Sequence, residues 1–307
     1  MYALKFHKRR LMQYAQGTTF LEISKTNLAK IKIPVPEDPK ETEKIVKILT
    51  DINEAVKIQR QILSEIKIMK KEIANKLFHK GIEHEDFTKI NFGSQIIEKI
   101  PSKWNVLPLK ELTINGSQNG LAISKTDYGK GVPIVGMTKF YASDILSLDD
   151  MTEVGISKKL IEKFCLKSFD LLFGRRSMDG NPLGDAGKCV IVPEIDKEVI
   201  FESSIIRMSV KEGIDPFYIY YFLQSDFGKK LMIRIIRVVA VAGISGGDLE
   251  KLKIPIPKEI EEQEKISKIL ANMDLLINQE RSYKEYLEKI RQGLMQQVLT
   301  CKVRVKV

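Results

Sequence analysis

Residues 41–80 read ETEKIVKILTDINEAVKIQRQILSEIKIMKKEIANKLFHK. Counted in sevens, Ile45, Ile52, Gln59, Ile66 and Ile73 share one position, and Ile48, Ala55, Ile62 and Met69 share another. Charged residues fill the spaces between. An apolar double row sustained over about five heptads predicts a coiled-coil helix. At ~1.5 Å per residue, about forty residues make a rod of roughly 60 Å. The stretch then recurs. Leu28-Ala29-Lys30-Ile31-Lys32-Ile33-Pro34-Val35-Pro36 returns as Leu249-Glu250-Lys251-Leu252-Lys253-Ile254-Pro255-Ile256-Pro257, and Glu43-Lys44-Ile45 returns as Glu264-Lys265-Ile266, both at an offset of 221. The two rows return as Ile266, Met273, Glu280, Leu287, Leu294 and as Ile269, Leu276, Tyr283, Ile290. A gap-free repeat this long is no solenoid; it points to duplication of a domain with its helix. Two matched helices can bury each other's seams as an intramolecular pair. If the two run antiparallel, middle meets middle, which predicts a polar layer of Gln59 and Glu280 that sets register at some cost in stability.

Length and composition fit a folded, soluble protein of two domains: 307 residues, 43% hydrophobic. No apolar run reaches the ~18 residues of a membrane span. The first ten residues lack the pattern of a signal peptide. Cys165, Cys189 and Cys301 are scattered, which predicts a reduced, cytoplasmic setting and no zinc site. The net charge of +10 suits a polyanion partner. That charge is concentrated early: residues 1–40 carry +5, whereas residues 81–258 carry only +1. If the large domain binds nucleic acid, its cations must be gathered on one face.

Four segments follow. Residues 1–38 parallel the stretch 225–258 and read as the remnant of a first domain. Residues 39–80 are the first helix, delimited by Pro34, Pro36 and Pro39 before it and Gly81 after it. Residues 81–258 form one complete α/β (α+β) domain with a mixed sheet. Strand-like runs fall at Val132–Val135, Asp170–Phe173, Lys188–Val192 and Ile205–Val210. A short helix follows Ser157, and an aromatic helix runs from Pro216 towards Leu231. Residues 259–307 are the second helix, weakened locally at Gly293.

Motifs of catalysis are absent from the sequence. Gly187-Lys188 lacks the earlier glycine of a phosphate loop, no GxGxxG follows a strand, and Asn181-Pro182-Leu183-Gly184 reads as a turn. His7, His79 and His84 suit surface positions better than a metal triad. Recognition chemistry remains. Gly174–Lys188 is a Gly-rich loop between two strands carrying Arg175, Arg176, Asn181 and Lys188. Arginine can bond guanine, and asparagine adenine, through paired hydrogen bonds. Equally, those arginines could pair with Asp179 or Asp185 in a plain hairpin. Lys229, Lys230, Arg234 and Arg237 suit phosphate contacts, or a solvated helix face. Gln118, Asn119, Lys125, Thr138, Lys139 and Tyr141 are further candidates for base-edge or backbone contact.

Trp104, the Asp170–Lys188 strand and loop, Asp215-Pro216-Phe217-Tyr218-Ile219-Tyr220-Tyr221, Gly246-Gly247 and Glu262-Gln263-Glu264 opening the second helix occur in this order beside the duplicated helix. In that order they resemble the specificity subunits of type I restriction–modification systems, over nearly the whole chain. The resemblance implies target recognition domains that each read half of a split double-stranded DNA target, with antiparallel helices as spacer. It implies a non-catalytic chain without its own cofactor. S-adenosylmethionine and ATP would belong to partner subunits: modification subunits recruited by the helices, and restriction subunits docked on that complex. The chain departs from the family in carrying only the last stretch of a first recognition domain. A homodimer would restore two such domains; the alternative is a truncated coiled-coil scaffold without DNA reading.

Overall fold

A computed structural model of the chain describes residues 2–15, 22–93, 95–142, 145–177, 187–238 and 242–306. It divides into two units, Met1–Ile68 with Met273–Val307, and Met69–Asn272. Helices α1 (Tyr2–Phe6), α2 (Lys8–Gln13) and α3 (Lys25–Ala29) precede the long α4 (Pro39–Lys80). The second domain's strands are β1 (Phe87–Asn91), β2 (Ile97–Pro101), β3 (Asn105–Pro108), β4 (Thr113–Asn119), β5 (Tyr128–Val135), β6 (Thr152–Val154), β7 (Leu171–Gly174), β8 (Cys189–Ile191), β9 (Ile200–Phe201), β10 (Ile205–Val210), β11 (Arg237–Val238), β12 (Ala242–Gly243) and β13 (Lys253–Ile256). Its helices are α5 (Met137–Ala142), α6 (Lys158–Phe164), α7 (Pro216–Gln224), α8 (Asp226–Ile235) and α9 (Gly246–Glu250), and α10 (Ile260–Leu299) closes the order. No described helix is long and apolar enough to cross a membrane.

The first unit is built on the pairing of α4 with α10. Buried Ile45 and Leu49 pack with Val298, Leu294 and Met295, so the start of one helix meets the end of the other. Gln59 Nε2 donates to the Glu280 carbonyl at 3.2 Å and also to its carboxylate. Arg60 pairs with Glu288 at 2.6 Å. Of the first row, Ile45, Gln59, Ile266 and Leu287 are buried, while Ile52, Ile66, Ile73, Met273, Glu280 and Leu294 are half-buried.

The second row is corrected by one residue. Leu49, Val56, Leu63, Leu77, Leu270, Ile277 and Val298 are buried; Ile62, Met69, Ile269, Leu276 and Tyr283 are exposed. Apolar residues stand at both candidate rows, as in Ile48-Leu49 and Ile62-Leu63, so spacing alone does not choose. Burial selects steps of four and three alternately from Ile45. The Ile48-type row becomes a flank. By heptad position it faces away from the Arg60–Glu288 side, leaving an apolar stripe of Ile62, Leu276 and Tyr283 on this unit.

Helix α10 runs unbroken through Gly293 and ends at Leu299, not at 307. Cys301 turns with φ 54°, and Lys302 N returns to Gln297 O at 3.1 Å. Residues 304–306 fold back onto α4. Arg304 Nε and Nη2 and Val305 N all donate to the buried Glu41, and Lys44 Nζ reaches Lys306 O at 2.6 Å. The guanidinium and the Val305 amide hold the Glu41 carboxyl below its ordinary value.

In the second unit, β4-β10-β7-β8 forms an antiparallel sheet, and β6-β5-β9 a mixed one in which β5 and β9 run parallel. Two cores result. One gathers Phe78, Trp104, Tyr218, Phe222 and Phe227 between helices and sheet; the other gathers Val135, Phe140, Leu172, Val190 and Phe201. The aromatic helix expected to run to Leu231 is two helices, because Ser225 caps a new start by accepting from Gly228 N at 3.1 Å. Residues 82–101 hold the β1–β2 hairpin.

Candidate nucleic-acid interface

The Gly-rich loop springs from the buried strand β7 and returns at Lys188 into β8. Gly174 N donates to Lys188 O at 3.1 Å, and Gly187 N to Gly174 O at 3.0 Å. Gly187 has φ 78°, a left-handed conformation that glycine adopts without steric cost. A Cβ on Gly174 would lie 2.3 Å from the Tyr141 hydroxyl, so glycine there is what lets α5 approach. Tyr141 Oη donates to Arg176 O at 2.7 Å, and Lys188 Nζ to Tyr141 O at 3.2 Å. The same lysine lies 5.8 Å from the Tyr141 ring centre.

A second segment joins from the far end of the domain. Ile244 N donates to Arg175 O at 2.9 Å, Arg176 bridges Gly243, and Gly243 pairs with Arg237 across the β11–β12 hairpin. Arg175 Nη1 donates to Ser203 O at 2.8 Å. Five sequence-expected residues thus converge: Tyr141, Arg175, Arg176, Lys188 and Arg237. Arg176 and Arg237 are exposed; Arg175, Tyr141 and Lys188 are half-buried. Arg237 also pairs with Asp248 at 2.7 Å, whose carboxyl is held below its ordinary value first by the Ser245 hydroxyl and then by that arginine. Thr138, exposed, and Lys139, bonded to the Asp149 carbonyl, ride on α5 with Tyr141.

The other candidates lie elsewhere. Gln118 is turned inward: its amide donates to Lys163 O at 3.0 Å and its oxygen accepts from Arg207. Asn119 is exposed at the end of β4, and Lys125 on the turn 125–127. Lys230 pairs with Glu98 at 3.3 Å, and Arg234 donates to Gly93 O, so these cations of α8 hold the β1–β2 hairpin; Lys229 is exposed beside them. Asn181 lies outside the described residues. Among the described residues no group of His, Cys, Asp or Glu is placed to hold a metal ion.

Glu202 was not legible as part of this edge. It sits in the turn between β9 and β10, and its carboxylate accepts from Met137 N at 2.8 Å, capping the start of α5. Burial raises its pKa, partly offset by that hydrogen bond. Glu202 therefore takes up a proton at a pH where an exposed glutamate is still ionised. Its contribution to stability is present below the unfolded value and lost as pH rises through the raised folded value. For a polyanion at this edge the sign is plain: lowering pH towards that range removes a repelling charge. Affinity for duplex DNA, measured by titration between pH 8 and 5, should rise on acidification, and Glu202→Gln should flatten that rise.

Comparison with known proteins agrees with this architecture. A family model described as the type I restriction modification DNA specificity domain matches residues 1–68 and 101–289. The chain belongs to the type I restriction–modification specificity family. Two members from Methanocaldococcus jannaschii are each 30% identical to it. The type I restriction enzyme MjaVIII specificity subunit aligns over 99% of this chain and 70% of its own length. The putative MjaX specificity subunit aligns over 100% and 68%. Solved specificity subunits share the fold. The one from M. genitalium gives a TM-score of 0.57 at 17% identity, covering 97% of this chain and 71% of that one. The HsdS subunit from Thermoanaerobacter tengcongensis gives 0.54 at 14%, covering 96% and 67%. The likeness to the solved subunits extends over nearly the whole chain.

Proposed function

We propose that this chain reads one half-site of a split DNA target through the edge where Tyr141, Arg175, Arg176, Lys188 and Arg237 converge. The observation that carries the reading is this gathering of four cations and a tyrosine from three separated segments in a domain of nearly neutral charge. Arg176 and Arg237 are in position for base edges or phosphates, and Tyr141 and Gly174 hold the loop in place. The chain is non-catalytic in this reading and holds no cofactor. Methyl transfer and ATP-driven restriction belong to modification and restriction subunits. The apolar flank at Ile62, Leu276 and Tyr283 is where modification subunits would lay an amphipathic helix. Two copies of the chain would carry two reading edges.

Selection from a randomised duplex pool, with and without a cognate modification subunit, tests this. A short enriched half-site is expected. Arg176→Ala should weaken binding to it by about tenfold or more, the scale of one paired base contact. A symmetric pair of half-sites would mark a homodimer. Capture of the modification subunit with no enriched sequence would instead support a scaffold.

A further inference from the structure

The β1–β2 hairpin hangs on two elements of its own unit, the last turns of α4 and helix α8. Ile90 stands opposite Glu98 and Thr88 opposite Ile100, so these four share one face. Ile100 is buried, and Phe92 at the turn meets Phe227 of α8 edge-on at 5.0 Å. Glu98 is the one charged residue of that face. Its two oxygens are divided between the supporting helices. Oε1 accepts from Lys230 Nζ of α8 at 3.3 Å, and Oε2 lies 3.2 Å from His79 Nε2 of α4.

The other ring nitrogen of His79 decides what that contact is. Nδ1 lies 2.7 Å from the Asn75 carbonyl, one turn back. A carbonyl oxygen only accepts, so Nδ1 carries a hydrogen. In a neutral imidazole Nε2 would then be bare, and a bare nitrogen against a carboxylate sets two acceptors face to face. Both contacts are hydrogen bonds only when the pair holds one further proton. Lys230 keeps the carboxylate ionised, which puts that proton on the imidazole. The ring is also stacked on Phe227, with centres 4.9 Å apart at 24°, and an aromatic face favours a cation. Other charges near it are engaged or exposed. Lys230 is more than half exposed and repels weakly. Asp226 of α8 is taken by Asn75 Nδ2 at 3.0 Å and Lys71 at 3.2 Å. Lys76 and Lys80, beside His79 on α4, are exposed. His84 makes the contrast. Its Nε2 donates at 2.9 Å to Glu262, which also accepts from Ile82 N at 3.0 Å and Trp104 Nε1 at 3.3 Å. No contact among the described residues fixes its Nδ1, so a single ring proton satisfies that site.

We propose that His79 and Glu98 form a proton-operated latch, which holds the β1–β2 hairpin on α4 and α8 while the imidazole carries two protons and lets it go when one leaves. The direction follows from linkage. The closed hairpin needs the proton, whereas the open one surrenders it as a free histidine does, at about pH 6.5. The latch is therefore at full strength below that pH and fades as pH rises above it. Ile100 and Phe92 keep their apolar contacts throughout, so release is a local opening of the hairpin and not global unfolding. The inference is independent of the DNA reading.

Two measurements on the full chain test it. Ring nitrogen-15 shifts at pH 7 should show both nitrogens of His79 largely protonated, where a free histidine is mostly neutral; His79→Phe identifies the signal by its loss. Amide exchange in the hairpin strands, corrected for the intrinsic effect of pH, should be about tenfold less protected at pH 8 than at pH 6, the scale of one proton's linkage across that range. Glu98→Gln leaves an oxygen for Lys230 and supplies an amide hydrogen to a neutral Nε2, so its hairpin should be held equally at both pH values. His79→Phe keeps the stack without either bond, and protection should be low at both. A bare Nε2 at pH 7 would overturn the proposal. So would hairpin protection that does not change with pH, or a pH dependence that survives in Glu98→Gln.

Discussion

Phe78→Ala is expected to lower stability by about 3–5 kcal/mol, the range for emptying an aromatic site in a close-packed core. Phe78 is fully buried near the end of α4. Its ring stands edge-on to Tyr218 at 5.5 Å and to Phe222 at 5.4 Å, and Phe222 passes the contact on to Phe227. Tyr218 is fixed in turn by its hydroxyl, which donates to Pro255 O at 2.8 Å. Neither ring can collapse into the space without breaking that bond or unseating α7. Phe78→Leu should cost less, because it keeps part of the volume. Urea unfolding of both variants checks the order, and a loss below about 1 kcal/mol for the alanine would show a site that collapses freely.

The second large effect is expected at Glu262. Glu262→Ala removes the acceptor from a backbone amide, a histidine and an indole together. An unsatisfied buried donor costs about 1–3 kcal/mol, so a total loss of about 3 kcal/mol is expected after partial rehydration. The chain has one tryptophan, and it is one of the three donors. Its fluorescence should therefore move to longer wavelength before global unfolding begins. Glu262→Gln keeps an acceptor oxygen and should recover part of both signals. An unchanged emission maximum in the alanine variant would mean that Trp104 is held by packing alone. Gly81 packs on the same cluster, where a Cβ would lie within 2.9 Å of His84, Glu262 and Trp104.

The helices were legible because a seven-residue apolar repeat, prolines before it and a glycine after it act locally. Which of two adjacent apolar rows forms the seam was not, since only the partner helix decides between Ile62 and Leu63. Strands β7, β8 and β10 announced themselves as apolar runs with Gly, Pro or charge at their ends. Strand β4, reading Thr-Ile-Asn-Gly-Ser-Gln-Asn, did not. It is mostly polar and becomes a strand by pairing with β10, more than 80 residues away. The candidate interface followed the same rule. Two arginines in a Gly-rich loop between strands could be picked out from the sequence. That Gln118 would spend its oxygen on Arg207, or that Gly243 would lie between Arg176 and Arg237, depends on contacts that no local pattern carries.

Tyr2 Oη bonds Thr50 Oγ1 at 3.1 Å, and Lys306 O accepts from Lys44 Nζ. Residues 44 and 50 are about 9 Å apart along one helix. The two extremities of the described chain thus meet the same few turns of α4. A short linker could close the backbone into a ring, and the ring could be reopened between Asp196 and Lys197, both exposed in a connection outside any strand. Such a circular permutant should fold to the same units. For this architecture, linear order is a choice of where a closed path is cut.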